Sequence, residues 1–403
     1  MRRTLLIILM ALMAVVAWAQ QLSEVSGTVV SQSTGQPVAG ANISGGGHAV
    51  VANDDGYFVL KTETKPDHIT VSHVGYRSQR IDIGSMPKEP LKIRLQPTTI
   101  QLNEVLVVAY DPHELMANAI RKIPDNYSRQ PELLHCFYRE TAMKRQHHIL
   151  VAEGVVDMYK TAYGTGVGRD RVAIRKGRRL LSPRHSDTLS VKVMGGPIVP
   201  VQLDLVKNLQ FLLNEEELSY YSMAMEAPAI IADREQLVVA IHPKVAMPYA
   251  LYHGRFYIDR ETLAFTRAEL TLDVSDREKA TSLMLVKKPA GVRFRPKELS
   301  LLVDYRQEQG VTRISYVRST FRFNCDWRRR LFATAFTAFC EMVVTSHTNG
   351  PDAVPIKGRD SFDQRDAFFD KVDYFRDSTF WQDYNIIEPT ERLDKAINRL
   401  MKR

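Results

Sequence analysis

The sequence predicts a mainly β protein with an N-terminal β-sandwich, followed by a larger antiparallel β-meander with flanking helices. The composition is 44% apolar and 25% charged, as in ordinary folded proteins. Short β-type runs alternate with turn residues between positions 25 and 95, and longer alternating runs follow short polar turns between 249 and 344. The 403 residues are enough for two or three domains.

The first residues have the pattern of a secretory signal peptide. Arg2 and Arg3 precede an apolar run that ends in the A-x-A site Ala17-Trp18-Ala19. A retained membrane anchor is the alternative, but the run is shorter than the ~20 residues of a spanning helix. We therefore expect a signal peptide at 1–19 and an exported mature chain, periplasmic or outer-membrane-associated, with no transmembrane span.

The next segment predicts a small antiparallel sandwich. Runs of four to seven β-type residues are separated by turns such as Asp55-Gly56, where glycine supplies the positive φ. The predicted strands are Val25–Val30, His48–Val51, Tyr57–Thr62, His68–Val74 and Leu91–Leu95.

Four ordered motifs in this segment match a known family: Gly27-Thr28-Val29, Gly35-x-Pro37-Val38-x-Gly40-Ala41, Asn53-Asp54-Asp55-Gly56-Tyr57-Phe58 and Val71-Ser72-His73-Val74-Gly75-Tyr76. Residues 24–96 resemble the carboxypeptidase regulatory-like domain. The resemblance implies a transthyretin-like sandwich of about seven strands that performs no catalysis. We place this domain at 20–98.

Carboxypeptidase activity itself is not expected. A zinc site of that type needs closely spaced His and Glu ligands. None of the eleven histidines has a Glu three residues later, and His113-Glu114 is followed by Ala117 where H-E-x-x-H needs a second His. We expect no catalytic residues, no metal site and no cofactor.

Residues 99–130 are predicted to be a linker and a helix. Leu102–Val108 resembles the connection that leads into the plug of outer-membrane receptors, although no receptor barrel can follow in the remaining length. Asp111 as N-cap and Pro112 at the first helical position predict a helix start, and Pro124 predicts its end.

Residues 131–403 are predicted to form an antiparallel sheet domain with a C-terminal helix. A helix is expected near 203–221, and a last helix with an apolar stripe begins at Thr390 and docks on its own domain, with a partner helix as the alternative occupant. The predicted strands are Tyr249–Ile258, Leu263–Asp273, Thr281–Lys287, Glu298–Arg306, Val311–Cys325 and a run from Phe332 to Val344.

One strand of this sheet predicts two different faces. Val317, Phe321 and Phe323 share a dry face, while Tyr316 and Arg318 share a wet one. The order from Tyr257 to Glu269 is similar to strands of LolA- and LolB-type lipoprotein carriers, which implies a half-barrel whose concave apolar face holds acyl chains.

The three cysteines, Cys136, Cys325 and Cys340, are expected to be buried free thiols. Cys325 lies near the turn of a predicted hairpin and Cys340 about eight residues along its other strand. At ~3.3 Å per residue their separation exceeds the ~7 Å reach of a disulfide.

The net charge of +8 is concentrated in one region. Residues 144–184 carry ten basic and three acidic side chains. We interpret this as a patch for an anionic ligand such as lipid head groups, lipopolysaccharide phosphates or an acidic glycan; a solvated basic loop is the alternative. Export disfavours nucleic acid. The candidate residues are Arg169, Arg171, Arg175, Lys176, Arg178, Arg179 and Arg184.

The sequence thus favours a non-catalytic envelope protein that binds or carries an amphiphilic or anionic ligand, a lipid or a lipoprotein among them. The first alternative is a protein-interaction module of an outer-membrane receptor system. The second is a hydrolase without a recognisable motif, which paired carboxylates with perturbed pKa values in a pocket would support.

Overall fold

A computed structural model describes residues 22–87, 89–98, 110–184, 191–193, 195–209, 211–327, 332–363, 366–374 and 379–401. The predicted signal peptide and the motif at 102–108 lie outside these residues. None of the helices within them is long and apolar enough to cross a membrane.

The N-terminal part is a sandwich of seven strands in two sheets, as predicted. One sheet has the order β4-β1-β7 and the other β3-β2-β5-β6. The buried side chains of both sheets, such as Val29, Ile43 and Phe58, form one apolar core. The strands are β1 Ser23–Ser31, β2 Asn42–Gly45, β3 His48–Val51, β4 Tyr57–Thr62, β5 His68–Ser72, β6 Gln79–Asp82 and β7 Leu91–Leu95.

The C-terminal part is built on an open sheet of eleven strands with the order β12-β13-β14-β15-β17-β18-β19-β8-β9-β10-β20. All neighbours are antiparallel except the edge pair β10 and β20. The strands are β8 Glu132–Lys144, β9 His147–Lys160, β10 Arg171–Leu181, β12 Tyr221–Ile231, β13 Arg234–Pro243, β14 Tyr252–Asp259, β15 Phe265–Leu272, β17 Val292–Glu308, β18 Val311–Trp327, β19 Thr334–Asn349 and β20 Asp373–Tyr374; β11 Lys192–Val193 and β16 Leu285–Lys287 form a separate pair.

Six α-helices accompany the sheets within the described residues: α1 Pro112–Arg121, α2 Ile123–Asn126, α3 Val199–Gln202, α4 Glu215–Leu218, α5 Arg277–Met284 and α6 Glu391–Met401. The predicted start of α1 is confirmed, because the Asp111 carboxylate accepts hydrogen bonds from the backbone N–H groups of His113 and Glu114. The docked C-terminal helix is also confirmed, since Leu393 and Ile397 of α6 are buried on the sheet.

Both faces of the large sheet are covered. We call one the helical face, because α1, α3 and α5 pack on it in the main core. We call the other the sandwich face, because β3 of the sandwich, α6 and the strap, residues 379–390, pack there. The wet face predicted for β18 is therefore partly wrong: Tyr316 is buried under the sandwich.

Three sequence predictions for local structure are wrong. Residues 281–287 fall mostly in α5, because the Asp276 carboxylate caps a helix by accepting from the N–H groups of Glu278 and Lys279. The helix near 203–221 is reduced to the short α4, because the buried side chains between 203 and 213 do not recur with a helical period. Phe332 lies outside β19 and is 80% exposed.

Candidate functional site

A cavity with a volume of about 770 Å3 lies on the helical face. Sheet strands, the segment around α3, the β9–β10 connection and the segment 358–363 enclose it. Its size falls within the usual range of ligand pockets, ~300–1,000 Å3. Its wall is mainly apolar, and the apolar lining residues are Val167, Ile198, Val199, Val201, Leu203, Phe211, Tyr252, Leu299, Leu301, Phe321 and Phe362.

The strand period explains this apolar wall. Leu299 and Leu301 alternate along β17, and Phe321 of β18 faces the same side, so all three point into the helical face. The opposite wall comes from α3 and the residues beside it. Phe362 closes one side, because its backbone N–H donates to Val172 of β10 at 2.7 Å and its ring rests on Gly196.

The cavity opens to solvent beside two glycines. Gly168 and Gly358 both line it and are exposed, and a Cβ added at either would meet no atom within 4 Å. Arg171 is the cation in the lining, and its Nη1 donates to the carbonyls of Gly168 at 2.9 Å and Asp170 at 2.8 Å. The exposed carboxylate of Asp363 also lines the cavity, so charges of both signs lie at the edge of an apolar interior.

A buried cluster of two lysines and two aspartates lies beside this entrance. Lys160 Nζ contacts Asp204 at 2.7 Å and Asp170 at 3.4 Å, and Lys207 Nζ contacts Asp170 at 2.7 Å. All four side chains are at most 2% exposed. Tyr305 adds a hydrogen bond from its hydroxyl to Asp204 at 3.1 Å. The cluster is neutral in sum, as buried charges require.

This cluster holds the cavity wall in place. Asp204 and Lys207 belong to the segment that follows α3, whereas Lys160 and Asp170 bracket the β9–β10 connection. Burial and the neighbouring Lys160 lower the pKa of Lys207 to about 8. The sequence contained one signal of this cluster, because Asp204 and Lys207 are two charged residues three positions apart in an otherwise apolar run. The interpretation of residues 144–184 as an anion-binding patch did not include them.

The predicted basic patch is distributed over both sides of β10. Arg178 is 8% exposed and pairs with Glu153 at 2.9 Å on the sandwich face. Arg175 pairs with Asp157. These two guanidinium groups neutralise carboxylates of the protein itself.

Four of the remaining five cations are also placed by the structure in different surroundings. Lys176 Nζ donates to the carbonyl of Phe380 at 2.7 Å, and Arg179 Nη1 donates to that of Phe369 at 2.6 Å. Arg169 and Arg184 are exposed and lie at opposite ends of the strand. With Arg171 at the cavity, the seven do not converge on one point; anion binding at these residues stays a prediction.

A half-buried carboxylate away from the cavity is Glu140 on β8. Its Oε2 accepts a hydrogen bond from the Tyr138 hydroxyl at 3.0 Å. Burial raises the pKa of Glu140 to about 7, although Tyr138 and the backbone N–H of Gly196 act against the shift. A single carboxylate of this kind is not an acid–base pair.

The described residues contain no group of three or more His, Cys, Asp or Glu arranged to hold a metal ion. The three cysteines are buried free thiols, as predicted. Burial raises the thiol pKa of Cys325 to about 11 and that of Cys340 to about 12, so neither is prepared for nucleophilic chemistry at neutral pH.

Comparison with known families and structures agrees with the motif analysis of the N-terminal part. Residues 25–107 match the family model of the CarboxypepD_reg-like domain, so the sandwich is a carboxypeptidase regulatory-like domain. No curated protein matches the chain.

Three solved structures are similar to about three fifths of the chain at low identity. A DUF1329 family protein from Desulfovibrio piger is 8% identical, with 59% of this chain and 93% of that one covered and a TM-score of 0.25. A putative outer membrane lipoprotein-sorting protein domain from Vibrio parahaemolyticus is 10% identical, with 62% and 97% covered and a TM-score of 0.26. MucB in complex with MucA(peri) is 13% identical, with 60% and 99% covered and a TM-score of 0.19. Likenesses of this size carry no argument about function.

Proposed function

We propose that the protein is a non-catalytic binding or carrier protein of the cell envelope that holds the apolar chain of an amphiphile in the cavity on the helical face. The observation that carries the proposal is the cavity of about 770 Å3, with an apolar wall and one cation, Arg171, near its entrance. An apolar chain gains free energy by leaving water for such a wall. An anionic head group would face Arg171.

The charges around the cavity favour binding over hydrolysis. A hydrolytic site needs a group that gains or loses a proton near the substrate. Two carboxylates line the cavity: Asp170 is buried and neutralised by Lys160 and Lys207, and Asp363 is exposed. The hydrolase alternative therefore gains no support from this cavity.

The interaction-module alternative stays a prediction. The sandwich already uses one side to contact the large sheet and the strap. A partner in an outer-membrane receptor system would have to bind elsewhere on the sandwich or displace these contacts.

Blocking the entrance tests the carrier proposal. We expect Gly358→Trp to weaken binding of a fluorescent fatty acid, cis-parinaric acid, at least tenfold, because the indole occupies the entrance without meeting backbone atoms at its Cβ. Fluorescence titration of protein purified without detergent measures this, and native mass spectrometry identifies any lipid retained.

The matched control is Gly164→Trp. Gly164 is exposed, its added Cβ also meets no atom within 4 Å, and it does not line the cavity. We expect wild-type affinity for this variant. Equal affinity of wild type and Gly358→Trp, or no uptake by wild type, would contradict the carrier proposal.

A further inference from the structure

One end of the large sheet brings three chain reversals together. The antiparallel strands β18 and β19 end at Trp327 and begin at Thr334, and Trp327 pairs with Val292 at the start of β17. The β8–β9 turn lies beside the start of β19, because Arg145 donates its backbone N–H to the carbonyl of Ala335 at 2.8 Å. The β16–β17 connection, residues 288–291, leads directly to Val292. These reversals therefore share one edge of the molecule.

Apolar side chains are exposed at this end. Phe332 follows the β18–β19 turn and is 80% exposed, and Val286 in β16 is 55% exposed. Exposing a whole phenyl ring to water forgoes the free energy of its burial. Phe332 lies just before β19 and away from the sheet core, so its ring is free to contact a binding partner.

Cations lie at the same end of the sheet as these two apolar side chains. Five cations lie at the three reversals or just past the end of β10: Arg145, Arg184, Lys287, Lys288 and Arg293. All five are exposed, and none of them forms an ion pair within the described residues. The acidic neighbour Asp326 is paired with Arg295, and Glu298 is paired with Arg322 at 3.1 Å.

We infer that this basic end, defined by these five cations with Val286 and Phe332, docks on the surface of a membrane that contains anionic phospholipids. Each cation near such a surface raises the affinity of the protein for the membrane about fivefold. An aromatic ring beside them can enter the interface between head groups and acyl chains. The inference does not depend on the cavity, and it relocates most of the predicted anion contact from β10 to the ends of neighbouring strands.

Vesicle co-sedimentation tests the charge contribution. The full mature chain should bind vesicles of phosphatidylglycerol and phosphatidylcholine mixed 3:7, and bind pure phosphatidylcholine vesicles much less. The double variant Lys287→Gln/Lys288→Gln should lose about fivefold in affinity for each charge removed. Raising the salt concentration should weaken wild-type binding, because screening shortens the reach of surface charges.

The apolar contribution has a matched control at the opposite end of the sheet. Phe332→Ser should reduce vesicle binding severalfold without changing the unfolding temperature. Val354 is 68% exposed and Lys357 is exposed, and both follow the far end of β19. The double variant Val354→Ser/Lys357→Gln should therefore bind vesicles as wild type does.

Two further measurements decide between a membrane and a soluble polyanion. In Phe332→Trp, acyl chains brominated near the head group should quench the new indole fluorescence when vesicles are added. Binding to heparin that equals binding to vesicles, together with no effect of Phe332→Ser, would overturn the inference. So would a loss of vesicle binding in Val354→Ser/Lys357→Gln that matches the loss in the Lys287→Gln/Lys288→Gln variant.

Discussion

At the scale of single residues, buried charges on the sandwich face are paired side chain by side chain. Arg139 is 2% exposed, contacts Glu153 at 2.8 Å and Glu341 at 3.3 Å, and donates to the carbonyl of Ile387 at 2.6 Å. Removing one partner of a buried ion pair costs more free energy of folding than the intact pair contributes, because the remaining charge stays desolvated. Arg139 therefore fixes the position of the strap on β8 as much as it adds stability.

Glu140 gives a pH-dependent prediction. The native pKa of about 7 exceeds the ordinary value of 4.5, so the folded state holds this proton more tightly than the unfolded state does. Its contribution to stability is complete below pH ~4.5, falls as the pH rises toward 7, and stays low above that. We expect Glu140→Gln to remove this slope in urea unfolding measured between pH 5 and 8.

The control for this measurement is Glu114→Gln, which changes an exposed carboxylate in the first turn of α1. We expect its pH profile to follow wild type. If Glu140→Gln keeps the wild-type dependence of unfolding free energy on pH, then Glu140 is not the group whose titration causes it.

At the scale of elements, two glycines allow a segment to cross the sheet. Gly154 of β9 faces Gly177 of β10, and Phe368 and Val372 pack against the bare backbone at this pair. A Cβ at Gly177 would lie 2.4 Å from Val372 Cγ1. Glycine is therefore needed at these two positions because neighbouring side chains approach the backbone closely, and not because the backbone turns there.

We expect Gly177→Ala to destabilise the protein by about 1–3 kcal/mol, because the added methyl group overpacks a filled site. Denaturant unfolding measures the change. Adding Val372→Ala should recover part of the loss, since the two side chains compete for one volume. Gly164→Ala, at an exposed and open position, should change little; a loss there as large as at Gly177 would argue against the steric cause.

The sequence predicted elements well where a local rule applied. Five of the seven sandwich strands were predicted, and the Asp111 cap located α1. The strands β2 and β6 were missed because neither is a run of β-type residues: β2 ends in Ser44-Gly45, and Ile81 is the one residue of β6 that is not exposed. Residues 281–287 were misassigned because the Asp276 cap, which begins α5, was not recognised.

At the scale of the whole molecule, the strap joins the two parts. Lys61 of β4 donates its backbone N–H to Asn385 Oδ1 at 2.7 Å, and Asn385 Nδ2 donates to the Lys61 carbonyl at 2.8 Å. Lys61 Nζ also donates to the carbonyl of Trp381 at 2.9 Å. The strap is therefore paired to the edge of a sandwich sheet while its aromatic side chains fill the space beneath.

Removing this pairing should loosen the sandwich. We expect Asn385→Ala to cost about 1–3 kcal/mol, since two hydrogen bonds at one edge are lost together. Hydrogen exchange of the Lys61 amide should accelerate, because that N–H loses its acceptor. Asn398→Ala removes a hydrogen bond to Asp394 on the exposed side of α6 and should leave exchange at Lys61 unchanged. Faster exchange in both variants would point to a general loss of stability.

The sequence by itself determined the mainly β fold class, five of the seven sandwich strands, the regulatory-like domain and the dry face of β18, because these follow from local periodicity and short motifs. It did not locate the five sheet strands between positions 132 and 243. It also determined the amount of positive charge in residues 144–184, but not where that charge acts. Only the tertiary structure decided that Arg178 neutralises Glu153, that two lysines and two aspartates support a cavity wall, and that exposed cations lie at the same end of the sheet as Phe332. The reason is physical: the environment of a charge depends on residues far away in sequence, which only folding brings within a few ångströms of it.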